Sequence, residues 1–295
     1  MSLAPRAVLV HRTTEYEELV ARHGTHGQAA FFLASRGRDI EEVAGRHRRA
    51  RRALAEVTAA VPLTWRQARV ERADLDRFLF APEDVVVVVG QDGLVANAAK
   101  YLTGQRVIGI DADPGRNPGV LVRHRPRDAA KLLPAGTAVD ELTMVEAVAD
   151  DTQRLVALNE IYLGTPGHQT ARYRLGLDGD GGAAEAQASS GVLVGTGTGA
   201  TGWLRSVWQE RGGRLALPSP TEDRLVWFVR EAWPSPATGT SLVAGELGVS
   251  SALTVTVESD RLIAFGDGIE TDALQLTWGQ TVRVGVCGQR LRLAC

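Results

Sequence analysis

Short apolar runs and helical patterns alternate through the first part of the chain. Residues 7–10 read as a strand and 15–22 as a helix, while the apolar run 29–33 suits either. Residues 40–60 form a long helical pattern with Ile40, Val43, His47 and Leu54 roughly on one side. Residues 67–70 are strand-like, and five valines fill the run 84–89. Successive β-branched residues suit a strand covered on both faces, as in a parallel sheet between helices. A helix over 94–102 and a strand over 106–110 complete the succession of an α/β layered domain. Past Pro134 the texture changes. Strand-like segments recur at 154–160, 171–177, 191–195, 214–217, 253–257, 261–265 and 281–286, with one helical stretch at 203–209. Turn-forming residues at 178–182 and at Asp267-Gly268 separate many of them, which predicts a β-rich second domain. The loop 179–190 is small and polar, and is expected to be disordered.

A length of 295 residues is twice the common domain size of about 150, so two domains are expected. With 44% hydrophobic and 23% charged residues, the chain has the composition of a globular protein. A net charge of −2 removes a nucleic-acid-coating protein from the front rank. Cys287 and Cys295 are the only cysteines, too few for a disulfide framework or a Cys-rich zinc site. No apolar stretch nears the ~20 residues of a bilayer span, and no leader pattern opens the chain. A cytoplasmic protein without membrane or nucleic-acid partners is the expectation. Lys100 and Lys131, the only lysines, each follow Ala, so the Gly-Lys pair of a Walker A loop is absent.

Three places could carry chemistry. Gly90-Gln91-Asp92-Gly93 follows the valine run and opens a helix. Glycines there admit phosphate to the backbone, and helix-start N–H groups attract anions. Asp92 in the same turn suits a base facing a hydroxyl or a Mg²⁺ contact, although an ordinary Asp N-cap would leave the same trace. The stretch from Gly195 to Gly202 holds Gly197, Gly199 and Gly202 in a G-x-G-x-x-G pattern, so a Rossmann dinucleotide turn is one reading. Its alternating threonines offer hydroxyls and amides to a nucleotide instead, and a plain glycine-rich turn is the third reading. Asn159-Glu160 ends an apolar run and can present hydrogen-bonding groups to vicinal hydroxyls, as on a ribose. The histidines show no metal-ligand spacing, and neither G-x-S-x-G nor H-E-x-x-H occurs. Arg46, Arg48, Arg49, Arg51 and Arg52 read as a solvated face, with reach toward a phosphate-rich ligand as the minority reading. Arg116, near the 117–119 turn, is a further candidate phosphate contact.

In this order the elements resemble the NAD kinase family, in which ATP phosphorylates the adenosine-side ribose 2′-hydroxyl of NAD. Gly90-Gln91-Asp92-Gly93 is similar to the family's Gly-Gly-Asp-Gly loop, and Leu158-Asn159-Glu160 to its Asn-Glu motif. Thr196-Gly197-Thr198-Gly199-Ala200-Thr201-Gly202-Trp203 resembles its Thr-Pro-Thr-Gly-Ser-Thr-Ala-Tyr stretch. Residues 12–17 and 109–114 are similar to the mitochondrial-type branch, and Asp267-Gly268 with Gly279 extends the likeness toward the end. The family pattern is departed from at Gln91, Leu94, Ser190, Gly197, Ala200 and Trp203.

The resemblance implies a Rossmann-like parallel sheet in an α/β domain over 1–137. A β-rich nucleotide-binding domain follows over 138–295, with a site in the crevice between them. It makes Asp92 the catalytic residue, with Gly90, Gln91 and Gly93 toward the phosphates of ATP and Mg²⁺ spreading their charge. Asn159, Glu160, Thr196, Thr198, Gly199, Ala200 and Thr201 would hold the NAD. Family members are commonly homodimers or homotetramers. The rival readings are a related kinase acting on a nucleoside or lipid hydroxyl, and a nucleotide-binding regulatory protein without catalysis. An NAD-dependent oxidoreductase using Gly197, Gly199 and Gly202 is the last.

Overall fold

The computed structural model describes residues 4–116, 118–150, 152–178 and 184–295. The chain divides into two compact units, Met1–Asp140 with Arg292–Cys295, and Glu141–Leu291. The last four residues thus belong to the first unit, whereas the expected second domain ran from 138 to the end.

In the first unit the order is β1 (Arg6–His11), α1 (Glu15–His23), α2 (His26–Ala34), α3 (Ile40–Ala60), β2 (Arg66–Glu71), β3 (Val85–Gly90), α4 (Asp92–Ala99), β4 (Arg106–Asp111) and α5 (Ala129–Leu132). The strands lie in the order β2-β1-β3-β4, all parallel. Arg292 and Leu293 add a further parallel pairing beside β4. The run 29–33 belongs to α2. The helix expected over 94–102 starts two residues earlier, at Asp92, and stops at Ala99.

Local chemistry accounts for these elements. Thr14 and Glu17 form a reciprocal capping box at the start of α1, and Gly24 ends that helix with φ of +85°. Two of the residues that resembled the mitochondrial-type branch, Thr14 and Glu17, therefore cap a helix. The valines of β3 pair on both sides, with β1 and β4, and all five are buried. Ala53, Leu54 and Val57 of α3 pack against Val85, Val87 and Val89. From β1 the chain crosses to β2 on one side; from β3 it crosses to β4 on the other. The carboxyl ends of β1 and β3 consequently flank a topological switch point, where open α/β sheets bind ligands.

Gly109 of β4 lies so close to the loop after it that a Cβ would stand 2.0 Å from the Leu121 carbonyl oxygen. Backbone cannot retreat as a flexible side chain would. Gly109→Ala is expected to cost at least about 2 kcal/mol through overpacking, read as a lower midpoint in denaturant melts. A midpoint equal to the wild type would mean that this loop yields freely.

The second unit holds β5 (Val139–Ala149, whose first two residues precede the unit boundary), β6 (Gln153–Ala157), β7 (Glu160–Gly164), β8 (Ala171–Leu177), β9 (Glu185–Ser189) and β10 (Gly191–Gly195). It continues with α6 (Trp203–Glu210), β11 (Arg224–Arg230), β12 (Ala244–Gly248), β13 (Ala252–Val257), β14 (Arg261–Gly266), β15 (Ile269–Thr277) and β16 (Thr281–Ala294), the last ending in the first unit. One sheet is antiparallel in the order β12-β11-β10-β7-β14-β15. The other runs β16-β13-β8-β9, also antiparallel, with β5 joining β16 and β6 joining β5. Alternate residues of both sheets share one core, including Leu163, Val194 and Trp227 from the first and Tyr173, Leu175 and Val255 from the second.

Three expectations are corrected here. The strand read over 154–160 is two strands, interrupted at Leu158 and Asn159. Residues 214–217 form no strand: Leu215 and Leu217 pack against α6, and Leu215 accepts a hydrogen bond from Trp208 Nε1 at 2.7 Å. Within the loop 179–190, residues 179–183 lie outside the described residues, while Glu185–Ser189 forms β9 and pairs with β8. No helix among the described residues is long and apolar enough to cross a membrane.

Candidate functional site

In the first unit, β3 delivers Gly90-Gln91-Asp92-Gly93 to the switch-point edge of the sheet. Gln91 is the N-cap of α4 with φ −119° and ψ 166°, ordinary extended backbone that tolerates a side chain. Gly90 is the tighter position, since a Cβ there would meet Leu94 Cδ2 at 2.9 Å and the Leu94 side chain would have to shift. Gly93 faces open space, with nothing within 4 Å of an added Cβ.

Asp92 is half-buried and turned back on a neighbouring loop. Its Oδ1 accepts from the amides of Leu121 (2.7 Å) and Val122 (2.9 Å), and its Oδ2 from Val120 (3.0 Å). A carboxylate offers about four acceptor positions, so roughly one remains, on Oδ2. Sequence reading assigned Asp92 to catalysis and missed this clamp, because nothing in the 120–122 pattern announces three convergent amides. Arg116 is exposed.

The arginines of α3 are mostly tied to carboxylates. Arg46 pairs with Glu15 and Glu42, Arg48 with Glu41, Arg49 with Asp113 and Arg51 with Glu17. This is the ion-paired outer face of a helix. Asp111 and Asp113 are engaged alike: the Asp113 amide donates to Asp111, which also pairs with Arg125.

In the second unit, three stretches far apart in sequence meet. β7 lies between β10 and β14, so Glu160 pairs with Gly195 and Ile161 with Gly266. Every backbone polar group of Leu158-Asn159 is taken up by side chain or backbone from the other two stretches. The Asp267 carboxylate accepts from the amides of Leu158 (2.9 Å) and Asn159 (2.7 Å). Thr196 Oγ1 donates to the Leu158 carbonyl (2.6 Å), and the Thr196 amide to that of Asn159 (2.9 Å). Asp267 itself has φ of +55°, a left-handed conformation that Asp tolerates better than most residues, and its amide donates to the Glu160 carbonyl at 3.1 Å.

With its backbone anchored, Asn159 keeps a half-buried carboxamide that has no protein partner among the described residues. Glu160 is 9% exposed, and its carboxyl likewise has no hydrogen-bond partner among them. Burial, reinforced by the Asp267 charge, pushes this carboxyl up to about 8, far above the ordinary carboxylate range. Thr198 is 2% exposed and its Oγ1 is buried without a partner. Three polar groups without a partner among the described residues thus lie on adjoining segments, where buried polar atoms ordinarily find partners.

The remaining predicted residues build this turn. Thr196 is fully buried, and its hydroxyl also accepts from the amides of Thr198 (3.1 Å) and Gly199 (3.3 Å), which leaves it no reach toward a ligand. Ala200 is buried, and Thr201 donates its hydroxyl to the Thr198 carbonyl at 2.9 Å. A Cβ on Gly199 would stand 2.4 Å from the Asn159 carbonyl oxygen, and one on Gly197 2.1 Å from that of Ser219. These glycines therefore admit neighbouring backbone. A Rossmann turn requires a parallel β-α-β unit, but β10 pairs antiparallel with both β7 and β11. The oxidoreductase reading loses its motif.

Asp267 is the site residue that sequence reading undervalued; it was noted as half of an Asp-Gly turn. Its signal was that turn placed directly after the apolar run of β14. Among the described residues no cluster of three or more His, Cys, Asp or Glu side chains is arranged to hold a metal. Compared with known proteins, the chain matches no family model and no curated sequence.

Proposed function

We propose that this chain is an ATP-dependent kinase acting on the 2′-hydroxyl of the adenosine ribose of NAD, as its resemblance to the NAD kinase family implies. The observation that carries the reading is the gathering of the Asn159 carboxamide, the Glu160 carboxyl and the Thr198 hydroxyl, all unpartnered, on a backbone held from both sides. Such a constellation is built for a polar ligand rich in donors and acceptors, as a nucleoside is. The Gly90–Gly93 loop supports the other half. It stands at the carboxyl end of β3, with the opening amides of α4 available to phosphate oxygens.

Phosphoryl transfer needs positioning and charge neutralisation more than covalent chemistry. Mg²⁺ would enter with ATP as the substrate complex and spread the charge of its phosphates. The clamp on Asp92 fixes its carboxylate, and its free acceptor position on Oδ2 receives the hydroxyl proton. Asn159, Glu160 and Thr198 orient the acceptor dinucleotide.

Purified protein given NAD, ATP and Mg²⁺ is expected to form NADP, measured with an NADP-specific dehydrogenase, and to stop on chelation of Mg²⁺. One observation favours a second reading, a nucleotide-binding regulator: three of the acceptor positions of Asp92 are already filled. NAD that raises the melting temperature but yields no NADP, or any other phosphorylated alcohol, would support that reading and overturn the first.

A further inference from the structure

The carboxyl of Glu160 has surroundings that differ from those of every other carboxylate described above. Asp92, Asp267, Asp111 and Asp113 each accept backbone amides or face arginines. Glu160 does neither. Several segments pack around it, among them α6, whose Leu204 lies beside Gly195 and which brings no charge that acts on Glu160. The 196–199 turn supplies only the uncharged Thr196, Thr198 and Gly199, and a Cβ on Gly199 would lie 3.0 Å from Glu160 Oε2. The β6–β7 link supplies Leu158 and Asn159. Strand β10 supplies Gly195 opposite Glu160. The turn between β14 and β15 supplies Asp267, whose negative charge is fixed by two amides and is the one charge that acts on Glu160. A nine-tenths buried carboxyl beside a fixed anion, with no donor to stabilise its own charge, keeps its proton.

We propose that Glu160 acts as a neutral carboxylic acid that recognises the ligand through a paired donor and acceptor. Its O–H donates and its carbonyl oxygen accepts, so its complement is an edge carrying an acceptor next to an N–H: a carboxamide or an amidine. NAD contains both, the nicotinamide carboxamide and the adenine amino edge. An ionised phosphate, which only accepts, does not match this pattern. This inference rests on the nucleotide reading above and adds to it the protonation state on which recognition depends. Ionisation removes the donor and sets a charge against the ligand's acceptor, so affinity falls as pH rises.

The sign follows from the direction of the shift. Only the protonated form binds, and the free carboxyl loses its proton near pH 8. Affinity is therefore flat below that pH and falls about tenfold per unit well above it. NAD has no group of its own that titrates there.

The test measures the Kd of NAD, AMP and nicotinamide mononucleotide between about pH 6.5 and 9.5, for wild type, Glu160→Gln and Glu160→Ala. Glutamine keeps a donor beside an acceptor and cannot ionise. The expected result is a wild-type affinity that falls at high pH, a Glu160→Gln profile without that fall, and weaker binding by Glu160→Ala throughout. A fall seen with AMP places the contact on the adenosine half of NAD; one seen with nicotinamide mononucleotide places it on the nicotinamide half. A flat wild-type profile, a Glu160→Gln profile that falls like wild type, or wild-type affinity in Glu160→Ala overturns the proposal. NADP formation with flat binding would leave the kinase reading standing while this inference falls. Steep binding without any phosphorylated product would do the reverse, and absence of nucleotide binding at every pH would remove both.

Discussion

Asp92→Asn is expected to lower turnover at least ~100-fold while also loosening the loop that its carboxylate holds. Two separate consequences meet in one atom. A general base contributes about 10²–10⁴-fold, and an amide in place of Oδ2 cannot take a proton. The same replacement turns an NH₂ toward the Val120 amide, which now donates to Oδ2 at 3.0 Å, so two donors face each other. Leaving one such amide unanswered costs about 1–3 kcal/mol. If Oδ1 becomes the nitrogen instead, two amides are affected and the loss is larger.

Turnover should be measured well below the melting temperature, where the destabilised variant stays folded. The expected pattern is a collapse of kcat with little change in KM for NAD, because the residues assigned to acceptor binding lie in the other unit. Wild-type-like turnover would remove Asp92 from the chemistry. A melting temperature equal to the wild type would show that the three-amide clamp does not bear on stability.

The first unit was legible because its signals are local and strongly periodic. The valines of β3 and the apolar stripe of α3 act within one or two turns of the chain, whereas the caps Thr14 and Asp39 went unread. The second unit was legible only as a class. β11 (RLVWFVR) and the long β5 carried near-continuous or irregular apolar patterns without clean alternation, and both were overlooked. The strand read over 154–160 failed for a physical reason: the Leu158-Asn159 backbone is drawn out of the ladder by Asp267 and Thr196. Partners 108 and 38 residues away cannot be seen in a window of the local pattern.

The site shows the same division. Sequence resemblance found Asn159, Glu160 and Thr198, the groups left unpartnered, because their type and order are distinctive. It also named Thr196 and Thr201 as ligand contacts: the Thr196 hydroxyl donates to the Leu158 carbonyl and accepts within the turn, while that of Thr201 donates to the Thr198 carbonyl and keeps its acceptor positions. Gln91 had looked like a defect in a glycine loop. Its extended backbone shows that position 91 carries a side chain without strain, while the closer contact in the loop is that of Gly90 with the Leu94 side chain.

Glu160→Gln is expected to change how the stability of the free protein depends on pH, in a direction opposite to that set by carboxylates that have partners. Carboxylates held by arginines or amides, such as Glu15 and Glu71, have their proton affinity lowered and lose stability as pH falls. Glu160 has its affinity raised, from 4.5 in the unfolded chain to about 8 in the folded one. Below pH 4.5 both states hold the proton and folding carries no penalty from this group. Between those two values the unfolded chain releases the proton while the native state retains it, so stability declines as pH rises. Above about pH 8 both states are ionised and the decline levels off. The whole span amounts to a penalty on the order of 5 kcal/mol as an upper limit. Glutamine carries no such linkage: its carboxamide adds a desolvation cost, but one that is the same at every pH. The difference in melting temperature between Glu160→Gln and wild type should therefore move in favour of the variant from pH 5 to pH 8, by roughly 10 °C at about 2–4 °C per kcal/mol. Using that difference cancels the other titrating groups, which both proteins share. Parallel melting curves across the range would mean that Glu160 is ionised in the folded protein, and that solvent or a rearranged neighbour supplies the charge stabilisation that its surroundings lack.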